Sequence, residues 1–410
     1  MPSPDRSEEA RLARLVRAHD RWRGRETFNL LPSENALSPT ARRYLASDLA
    51  GRYTLPFEQP GDGETLDNSY AGTRYTDQIE ALANAAASRL FHGQFATVRP
   101  LSGHVAALSA LAPLLPRGSK ILAIPPDQGG YDGYAPGYIP ALLGYTVRPL
   151  PAGGPGFRLD ADAAVEEIRR ERPNAVVLGQ SFFLFPYPLR EVAEAAHSVG
   201  SLVLYDASHV LGLLAGGEFQ DPLREGADIV YGSTHKSFPG PQGGLLVTDR
   251  EDLFRQLDPA LVWRIFDNAH WNRIAGLAQT LLELERFGRE YARTVVANSQ
   301  ALARTLTDSG LPCVAEAEGF TRSHQSLLDR AELRRRHALG TGALARRWEA
   351  QRLITDLIGR MGTAEVTRLG LTPAEMPRMA ELLYRVGIGR ERLGKEVLAW
   401  RRTYPTLRFV

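Results

Sequence analysis

The sequence predicts an α/β protein in which a mostly parallel sheet carries helices on both faces and a small α+β domain follows. Short apolar runs alternate with amphipathic helical segments through the middle of the 410-residue chain, and such alternation is typical of a parallel sheet. Beyond about residue 307 the strand patterns weaken and helix dominates. We expect an N-terminal helix over 1–24, a large domain over 25–275, a linking helix over 276–306 and a small domain over 307–410.

Seven apolar runs are the predicted strands of the sheet. Helical patterns such as GHVAALSALAPLL and REVAEAAHSVG lie between several of them, and a long helical pattern over 273–306 follows the last. The predicted strands lie at 96–100, 120–125, 146–150, 174–179, 201–206, 227–232 and 244–248.

Composition and charge exclude several classes of function. A formal net charge of +2 provides no field that would attract nucleic acid or an anionic membrane. No stretch approaches the about 20 apolar residues of a membrane span. The single cysteine, Cys313, excludes an internal disulfide, and the HExxH, CxxC and P-loop patterns are absent. We therefore expect a cytoplasmic protein without a metal site, a nucleic-acid partner or a membrane partner.

Lys236, in STHKSFPGPQGG (233–244), is one of three lysines among 49 basic residues. The other two are Lys120 and Lys395, so arginine supplies nearly all of the positive charge. Arginine stays protonated, whereas lysine can lose its proton and act as a nucleophile or a base. A lysine kept in an arginine-rich chain therefore indicates chemistry at this position.

Further polar residues follow predicted strands, where open parallel sheets bind their ligands. Asp206 ends SLVLYD and His209 lies in the loop behind it. The run Ser102-Gly103-His104 leads from a strand into a helix, and a helix N-terminus entered through glycine suits a phosphate. A phosphate seat, a carboxylate and a nucleophilic lysine on one rim are what a protein needs to hold pyridoxal phosphate (PLP) as a Schiff base.

Five motifs resemble those of the serine hydroxymethyltransferase family and occur in the family's order. The resemblance runs from about residue 25 to 385 and implies PLP fold type I, an amino-acid substrate, and a homodimer whose active site lies between the subunits. The matching motifs are NLLPSENALSP (29–39), YAGTRYTDQIEALA (70–83), LYDASHVLGLLAGGEF (204–219), STHKSFPGPQGG (233–244) and GRMGTAEVTRLG (359–370).

The resemblance implies a role for each matching residue. Lys236 matches the Schiff-base lysine, Asp206 the partner of the pyridinium nitrogen, and Arg360 the arginine that grips the substrate carboxylate. The expected catalytic residues are Lys236, Asp206, His209 and Tyr53. The expected cofactor contacts are Ser102, Gly103, His104, Ser181, Asp206, His209, Ser233, His235 and Lys236, with Gln128 or Tyr131 against the ring; the expected substrate contacts are Ser33, Tyr53, Leu55, Arg360 and Tyr70, the last reaching in from the partner subunit.

Several positions depart from the family's pattern where folate would bind. Leu55 stands where the family has the glutamate that works with folate, and Gln242 replaces an arginine. WRIFDNAHW (263–271) replaces a glycine-rich loop that makes a second phosphate contact, and 346–357 offers no counterpart of a folate-binding loop. These departures predict an enzyme that does not use folate.

The side chains around Leu55 predict the kind of substrate. Leu55, Phe57 and Tyr70 are expected to form an apolar wall that suits a bulky side chain or conjugate better than serine. Glu58 is a nearby carboxylate that could restore the folate role if the loop over 56–69 folds inward.

The sequence alone does not determine which bond of the substrate is broken. Removal of the Cα proton needs only Lys236, whereas a retro-aldol reaction needs a base for the β-hydroxyl, and the family's glutamate and stacking histidine are both missing. This contrast favours β-elimination of the C–S lyase type, in specialised, antibiotic-type metabolism. A threonine aldolase or transaldolase reaction, decarboxylation, oxidative deamination, a divergent serine hydroxymethyltransferase and a non-catalytic binding protein are the alternatives.

Overall fold

The computed structural model describes residues 6–60, 65–154 and 156–410, and for residue 6, 56–60 and 65–67 it describes the backbone. A seven-stranded sheet lies at its centre, and each strand overlaps one predicted strand. The strands are β1 (Phe95–Thr97), β2 (Lys120–Ala123), β3 (Thr146–Pro149), β4 (Ala175–Leu178), β5 (Leu202–Asp206), β6 (Ile229–Ser233) and β7 (Gly244–Thr248).

The sheet is mostly parallel, as predicted. Its strand order is β1-β7-β6-β5-β4-β2-β3. β7 runs antiparallel to both of its neighbours, β6 and β1, while the pairs β6-β5, β5-β4, β4-β2 and β2-β3 are parallel. The carboxyl ends of β5 and β6 therefore lie side by side on one rim.

Both faces of the sheet are buried because each central strand is apolar on its two sides. Alternate residues of a strand point to opposite faces. In β5, Val203 and Tyr205 pack in one hydrophobic cluster with Ile274 and Leu281, whereas Leu204 packs in a second cluster on the other face. This explains why the strands read as continuous apolar runs.

Helices cover these two faces and build the C-terminal part. α10 packs at its start against the sheet, through Ile274, and at its end in the C-terminal core, through Leu306. The helices are α1 (Arg6–Arg21), α2 (Pro39–Leu45), α3 (Arg74–Leu90), α4 (Gly103–Leu111), α5 (Ile139–Leu143), α6 (Ala161–Glu171), α7 (Leu189–Ser198), α8 (Leu211–Ala215), α9 (Glu251–Ala260), α10 (Trp271–Asp308), α11 (Arg330–His337), α12 (Thr341–Ala350), α13 (Ala364–Leu369), α14 (Met376–Gly387) and α15 (Gly394–Arg401).

The C-terminal part combines helices with short strands. Gln325–Leu327 pairs antiparallel with Arg360–Gly362, and Leu353–Ile354 pairs in parallel with Phe28–Asn29. Phe28 accordingly lies in the C-terminal core, although the large domain was predicted to begin at residue 25. The difference arises because this early strand pairs far along the chain, which a local pattern does not reveal.

The remaining short elements lie outside these layers. A π-helical turn, Leu261–Phe266, joins α9 to the loop before α10. Two strand pairs, Pro56–Pro60 with Thr65–Asn68 and Ala152–Gly153 with Arg158–Leu159, form small antiparallel ribbons. Among the described residues, no helix is both long and apolar enough to cross a membrane.

Candidate active site

A pocket opens at the rim where β5 and β6 end. β5 ends at Asp206 and β6 at Ser233, and Lys236 follows three residues later. Six of the residues predicted to contact the cofactor meet here with Tyr131. The described residues that line the pocket are Gly103, His104, Tyr131, Gln180, Asp206, Ser208, His209, Ser233 and Lys236.

One wall of the pocket is the N-terminus of α4. Ser102 caps this helix, because its hydroxyl accepts a hydrogen bond from the Val105 amide at 3.1 Å. A Cβ atom added to Gly103 would lie 2.0 Å from Ser233 Oγ and 3.1 Å from Ser208 Oγ, so only glycine allows this approach. Helix N–H groups and two serine hydroxyls thus converge on a cradle of the kind that binds a phosphate.

Asp206 provides a buried carboxylate in the same pocket. Its side chain is 5% exposed. Its Oδ2 accepts a hydrogen bond from the Tyr134 hydroxyl at 2.6 Å, and its Oδ1 accepts one from the Ser208 amide at 2.9 Å. Burial, reinforced by the charge of Asp206, holds the pKa of Tyr134 well above its ordinary value. Tyr134 therefore stays protonated and keeps donating to the carboxylate.

Lys236 is poised to lose its proton near neutral pH. Burial lowers the pKa of Lys236 from 10.5 to about 8; Asp206 opposes this change and the charge of Arg360 adds to it. Lys236 is half-buried, and a lysine with a depressed pKa in a cleft is typical of a catalytic nucleophile or base. Asn35 fixes the backbone here, since its Nδ2 donates to the Lys236 carbonyl at 2.9 Å.

Three buried or half-buried histidines surround Lys236, and all of them are neutral. His209 and His324 stack with ring centroids 5.8 Å apart. Burial, aided by nearby cations, lowers the pKa of His209 well below its ordinary value. Burial also lowers the pKa of His235 and of His324 to about 4. Nδ1 of His235 is buried and has no hydrogen-bond partner among the described residues.

Tyr131, and not Gln128, lies in the pocket. The Tyr131 hydroxyl is 2.9 Å from Nδ1 of His104. Gln128 points elsewhere, because its Oε1 accepts a hydrogen bond from the Ala152 amide at 2.8 Å. Of the two candidates for the contact with the cofactor ring, the geometry favours Tyr131.

Arg360 lies beside the pocket in an ion pair. Its Nε donates to Asp356 Oδ2 at 2.6 Å and its Nη1 donates to the Ser181 carbonyl at 3.0 Å, and its guanidinium lies over the ring of Phe182 at 5.4 Å. These hydrogen bonds use two of the five N–H donors of an arginine. The contact between Ser181 and Arg360 is therefore made by the backbone carbonyl of Ser181.

None of the five predicted substrate residues is in the lining of this pocket; Arg360 lies beside it, and the other four lie elsewhere. Tyr53 is 43% exposed; its hydroxyl donates to Asp267 at 2.8 Å, and its ring meets that of Tyr70 edge-on at 5.1 Å. Leu55 is 4% exposed, and neither Leu55 nor Tyr70 lines the pocket of its own chain, so the predicted apolar wall stays a prediction. Ser33 is half-buried in a turn. A role for Tyr53 and Tyr70 at a partner subunit's pocket stays a prediction.

The side chains of Phe57 and Glu58, which entered the folate prediction, lie outside the described residues. Sequence reasoning also missed several residues that the fold brings to the pocket. None of them belongs to a short local pattern with Lys236, because they come from distant segments. The residues missed in these distant segments are Asn35, Tyr134, His324, Gln325 and Asp356, which contact residues of the site. Gln180 and Ser208, which line the pocket itself, were also not predicted.

Comparison with known proteins identifies the family. The sequence model of the family described as serine hydroxymethyltransferase matches residues 7–343. A serine hydroxymethyltransferase from Pyrobaculum neutrophilum is 39% identical over 408 residues, which cover 96% of this chain and 93% of that protein. The chain belongs to the serine hydroxymethyltransferase family. A second relative of the same name, from Methanopyrus kandleri, is 37% identical over 417 residues and covers 97% of this chain and 94% of its own length.

Family membership confirms pyridoxal phosphate as the predicted cofactor and a PLP-dependent enzyme as the predicted class. The residues present fit this cofactor, because the Gly103 cradle leaves room that a Cβ would fill. A solved L-threonine transaldolase from Pseudomonas fluorescens has the same fold, with a TM-score of 0.87 at 23% identity, and covers 98% of this chain and 94% of that chain. The predicted fold class is therefore confirmed.

Proposed function

We propose that this protein is a folate-independent PLP enzyme that acts at Cα and Cβ of an α-amino acid or an amino-acid conjugate, in specialised metabolism of the antibiotic type. One observation carries the proposal: Lys236 lines the same pocket as Asp206 and Gly103, and burial lowers its pKa to about 8, so its amine can gain or lose a proton near neutral pH. His209 and His235, its neighbours in the site, are held neutral by burial.

Each residue of the site has a separate role in the proposed reaction. PLP supplies an electron sink that stabilises negative charge at the Cα of a bound amino acid. Asp206 supplies the buried charge for the ring nitrogen, the Gly103 turn and Ser233 the seat for the phosphate, and Arg360 the cation for the substrate carboxylate. Lys236 Nζ takes the Cα proton.

The favoured outcome is β-elimination from a substrate with a sulfur leaving group at Cβ. After Lys236 has taken the Cα proton, the Cβ–S bond breaks and its electron pair leaves with sulfur. The released enamine hydrolyses to a 2-oxo acid and ammonia. The chain therefore supplies one base and one cationic site for the carboxylate, and no second base is needed.

The environment of Leu55 supports independence from folate. One-carbon transfer in the resembling family uses a carboxylate at this position, and leucine can neither ionise nor accept a hydrogen bond. Leu55 is 4% exposed, and its backbone carbonyl accepts a hydrogen bond from the Ser69 amide at 3.3 Å. Burial of an aliphatic side chain here is stabilising, which favours a structural role over a polar contact with folate.

A divergent serine hydroxymethyltransferase is the second candidate. It is favoured by the curated relatives, which carry that name at 37–39% identity across nearly the whole chain. Under this alternative, tetrahydrofolate would stimulate the cleavage of serine. We further propose a cytoplasmic homodimer with a shared active site, which the exposed aromatic pair of Tyr53 and Tyr70 supports.

A substrate screen tests the proposed reaction. The purified protein is mixed with α-amino acids and cysteine S-conjugates without folate, while the cofactor absorbance and the products are followed. We expect pyruvate, ammonia and a free thiol from an S-conjugate, with activity lost in Lys236→Ala and kept in Lys395→Ala, a change at an exposed lysine. Glycine and an aldehyde as products would instead establish retro-aldol cleavage, and a colourless protein that does not bind PLP would contradict both reactions.

A further inference from the structure

We propose that Gln325 is a positioning residue that fixes the proton of His209 on Nε2, so that this histidine serves the pocket as a hydrogen-bond donor and not as a base. The inference rests on the proposed function, because it assigns a role within the same site. His209 follows Asp206 by three residues and lines the pocket, whereas Gln325 comes from the C-terminal part of the chain.

The contact between the two side chains is short and buried. Gln325 is 1% exposed, and its Nε2 lies 2.8 Å from Nδ1 of His209. In this orientation of the Gln325 side chain the amide nitrogen can only donate, so Nδ1 presents its lone pair, while Oε1 of Gln325 is buried without a partner among the described residues. A neutral imidazole carries one proton, which then lies on Nε2.

The position of Gln325 is set by the backbone around it. It opens the strand Gln325–Leu327 and pairs with Gly362, in the strand that also carries Arg360. The backbone N–H of Gln325 donates a hydrogen bond to the hydroxyl of Ser323 at 3.1 Å. The strand that holds Arg360 therefore also holds the partner of His209.

The backbone and the ring of His209 are also held in place by contacts with Ser237 and His324. Its carbonyl accepts a hydrogen bond from the Ser237 hydroxyl at 2.5 Å, and its ring stacks on that of His324. His324 donates from its own Nε2 to the Pro32 carbonyl at 2.9 Å, because a carbonyl can only accept. Ring rotation in His209 would break the contact with Gln325 and disturb this stack.

The charges around His209 oppose a second proton on its ring. The cations of Lys236 and Arg360, and the rings of His324 and His235, all disfavour an imidazolium, and burial is the largest cause of the lowered pKa. The carboxylate nearby in the chain, Asp206, is already bonded to Tyr134 and Ser208. Burial and these cations therefore favour a neutral His209 in this structure.

This tautomer has a consequence for catalysis. The ring nitrogen that carries the proton can donate to an anionic oxygen in the pocket, whereas the nitrogen with the lone pair is occupied by Gln325. His209 could accept a proton only by breaking that contact or by becoming a buried cation beside Lys236. Proton removal is left to Lys236, and the neutral donor stabilises the charge that develops nearby.

Nitrogen NMR of the full-length protein tests the tautomer. Two-bond proton–nitrogen correlations of protein labelled with 15N-histidine distinguish a protonated from a bare ring nitrogen, and His209→Asn identifies the resonances of His209. We expect a protonated Nε2 and a bare Nδ1. In Gln325→Glu, a carboxylate can only accept, so the proton should move to Nδ1. Gln78→Glu, at an exposed glutamine of α3, should leave the pattern unchanged.

The outcomes separate this inference from the proposed function. A bare Nε2 or an imidazolium at neutral pH in the wild type overturns the inference, as does a Gln325→Glu spectrum like that of the wild type. If Gln325→Glu does not fold, Gln325→Met decides, since loss of the donor should mix the two tautomers. The spectra are recorded on the purified protein before and after removal of PLP, so they are independent of the substrate screen. A failed screen with the expected tautomer contradicts only the proposed reaction.

Discussion

Replacing Lys236 by methionine should stabilise the cofactor-free protein at neutral pH. In the folded chain the pKa of Lys236 is lowered from 10.5 to about 8, chiefly by burial, whereas in the unfolded chain it keeps its ordinary value. Below pH 8 both states hold the proton, so the folded state bears the full cost of the buried ammonium. At about 1.4 kcal/mol per pKa unit, this cost is at most about 3.5 kcal/mol.

The gain should disappear as the pH rises. Between the two pKa values, about 8 and 10.5, the unfolded wild-type chain binds more protons than the folded chain, so wild-type stability increases with pH. Methionine binds no proton. The difference in the free energy of unfolding between Lys236→Met and wild type should therefore shrink by up to about 3.5 kcal/mol over this range, while the apolar contribution of methionine stays constant.

Urea unfolding of the cofactor-free proteins at pH 7 and at pH 10.5 measures this difference. Lys395→Met, at an exposed lysine in α15, is the control and should follow the wild type at both values. Ionisation of tyrosines is common to all three proteins and cancels in the comparison. A stability difference that is the same at both pH values would refute the assignment of Lys236 as a buried amine with a depressed pKa.

Three substitutions test the other parts of the site. Gly103→Ala should lower PLP affinity about 5- to 150-fold, because overpacking against Ser233 costs about 1–3 kcal/mol; PLP titration followed by absorbance measures this, and unchanged affinity would argue against the cradle. Asp206→Ala removes the buried carboxylate that should pair with the protonated ring nitrogen of PLP, a loss of about 3–5 kcal/mol, so PLP binding and turnover should both fall. Normal turnover would make Asp206 a structural residue. Arg360→Lys keeps the charge but loses the fork that also holds Asp356, so KM should rise about tenfold or more with unchanged PLP absorbance; equal activity on amino acids and the corresponding amines would contradict the role of Arg360.

The sheet and the centre of the site could be predicted because both leave local marks in the sequence. A strand buried on both faces is a continuous apolar run, so all seven strands of the sheet were found. Asp206 and Lys236 follow two of these runs, and parallel strands bring their carboxyl ends to one rim. Gly103 was recognised because a glycine before a helix is itself a pattern.

The polar network around that centre could not be predicted in this way. Gln325 and His324 reach His209 across more than a hundred residues, and nothing in a short window marks such a pair. Asp356 is four residues before Arg360, yet its ion pair depends on a turn that brings the two side chains together. Tyr53 was predicted from the resemblance alone, and in its own chain it lies at the surface against Asp267.

The conversion of serine to glycine, measured with and without tetrahydrofolate, tests the central claim most directly. Under the proposed function, Leu55 replaces the carboxylate that folate-dependent transfer needs, so serine should be a poor substrate under both conditions, and Leu55→Glu alone should not restore transfer. Lys236→Ala provides the background rate. Conversion stimulated by tetrahydrofolate to a rate of roughly 1 per second or faster, which is typical of enzymes, would contradict a folate-independent function and establish a divergent serine hydroxymethyltransferase.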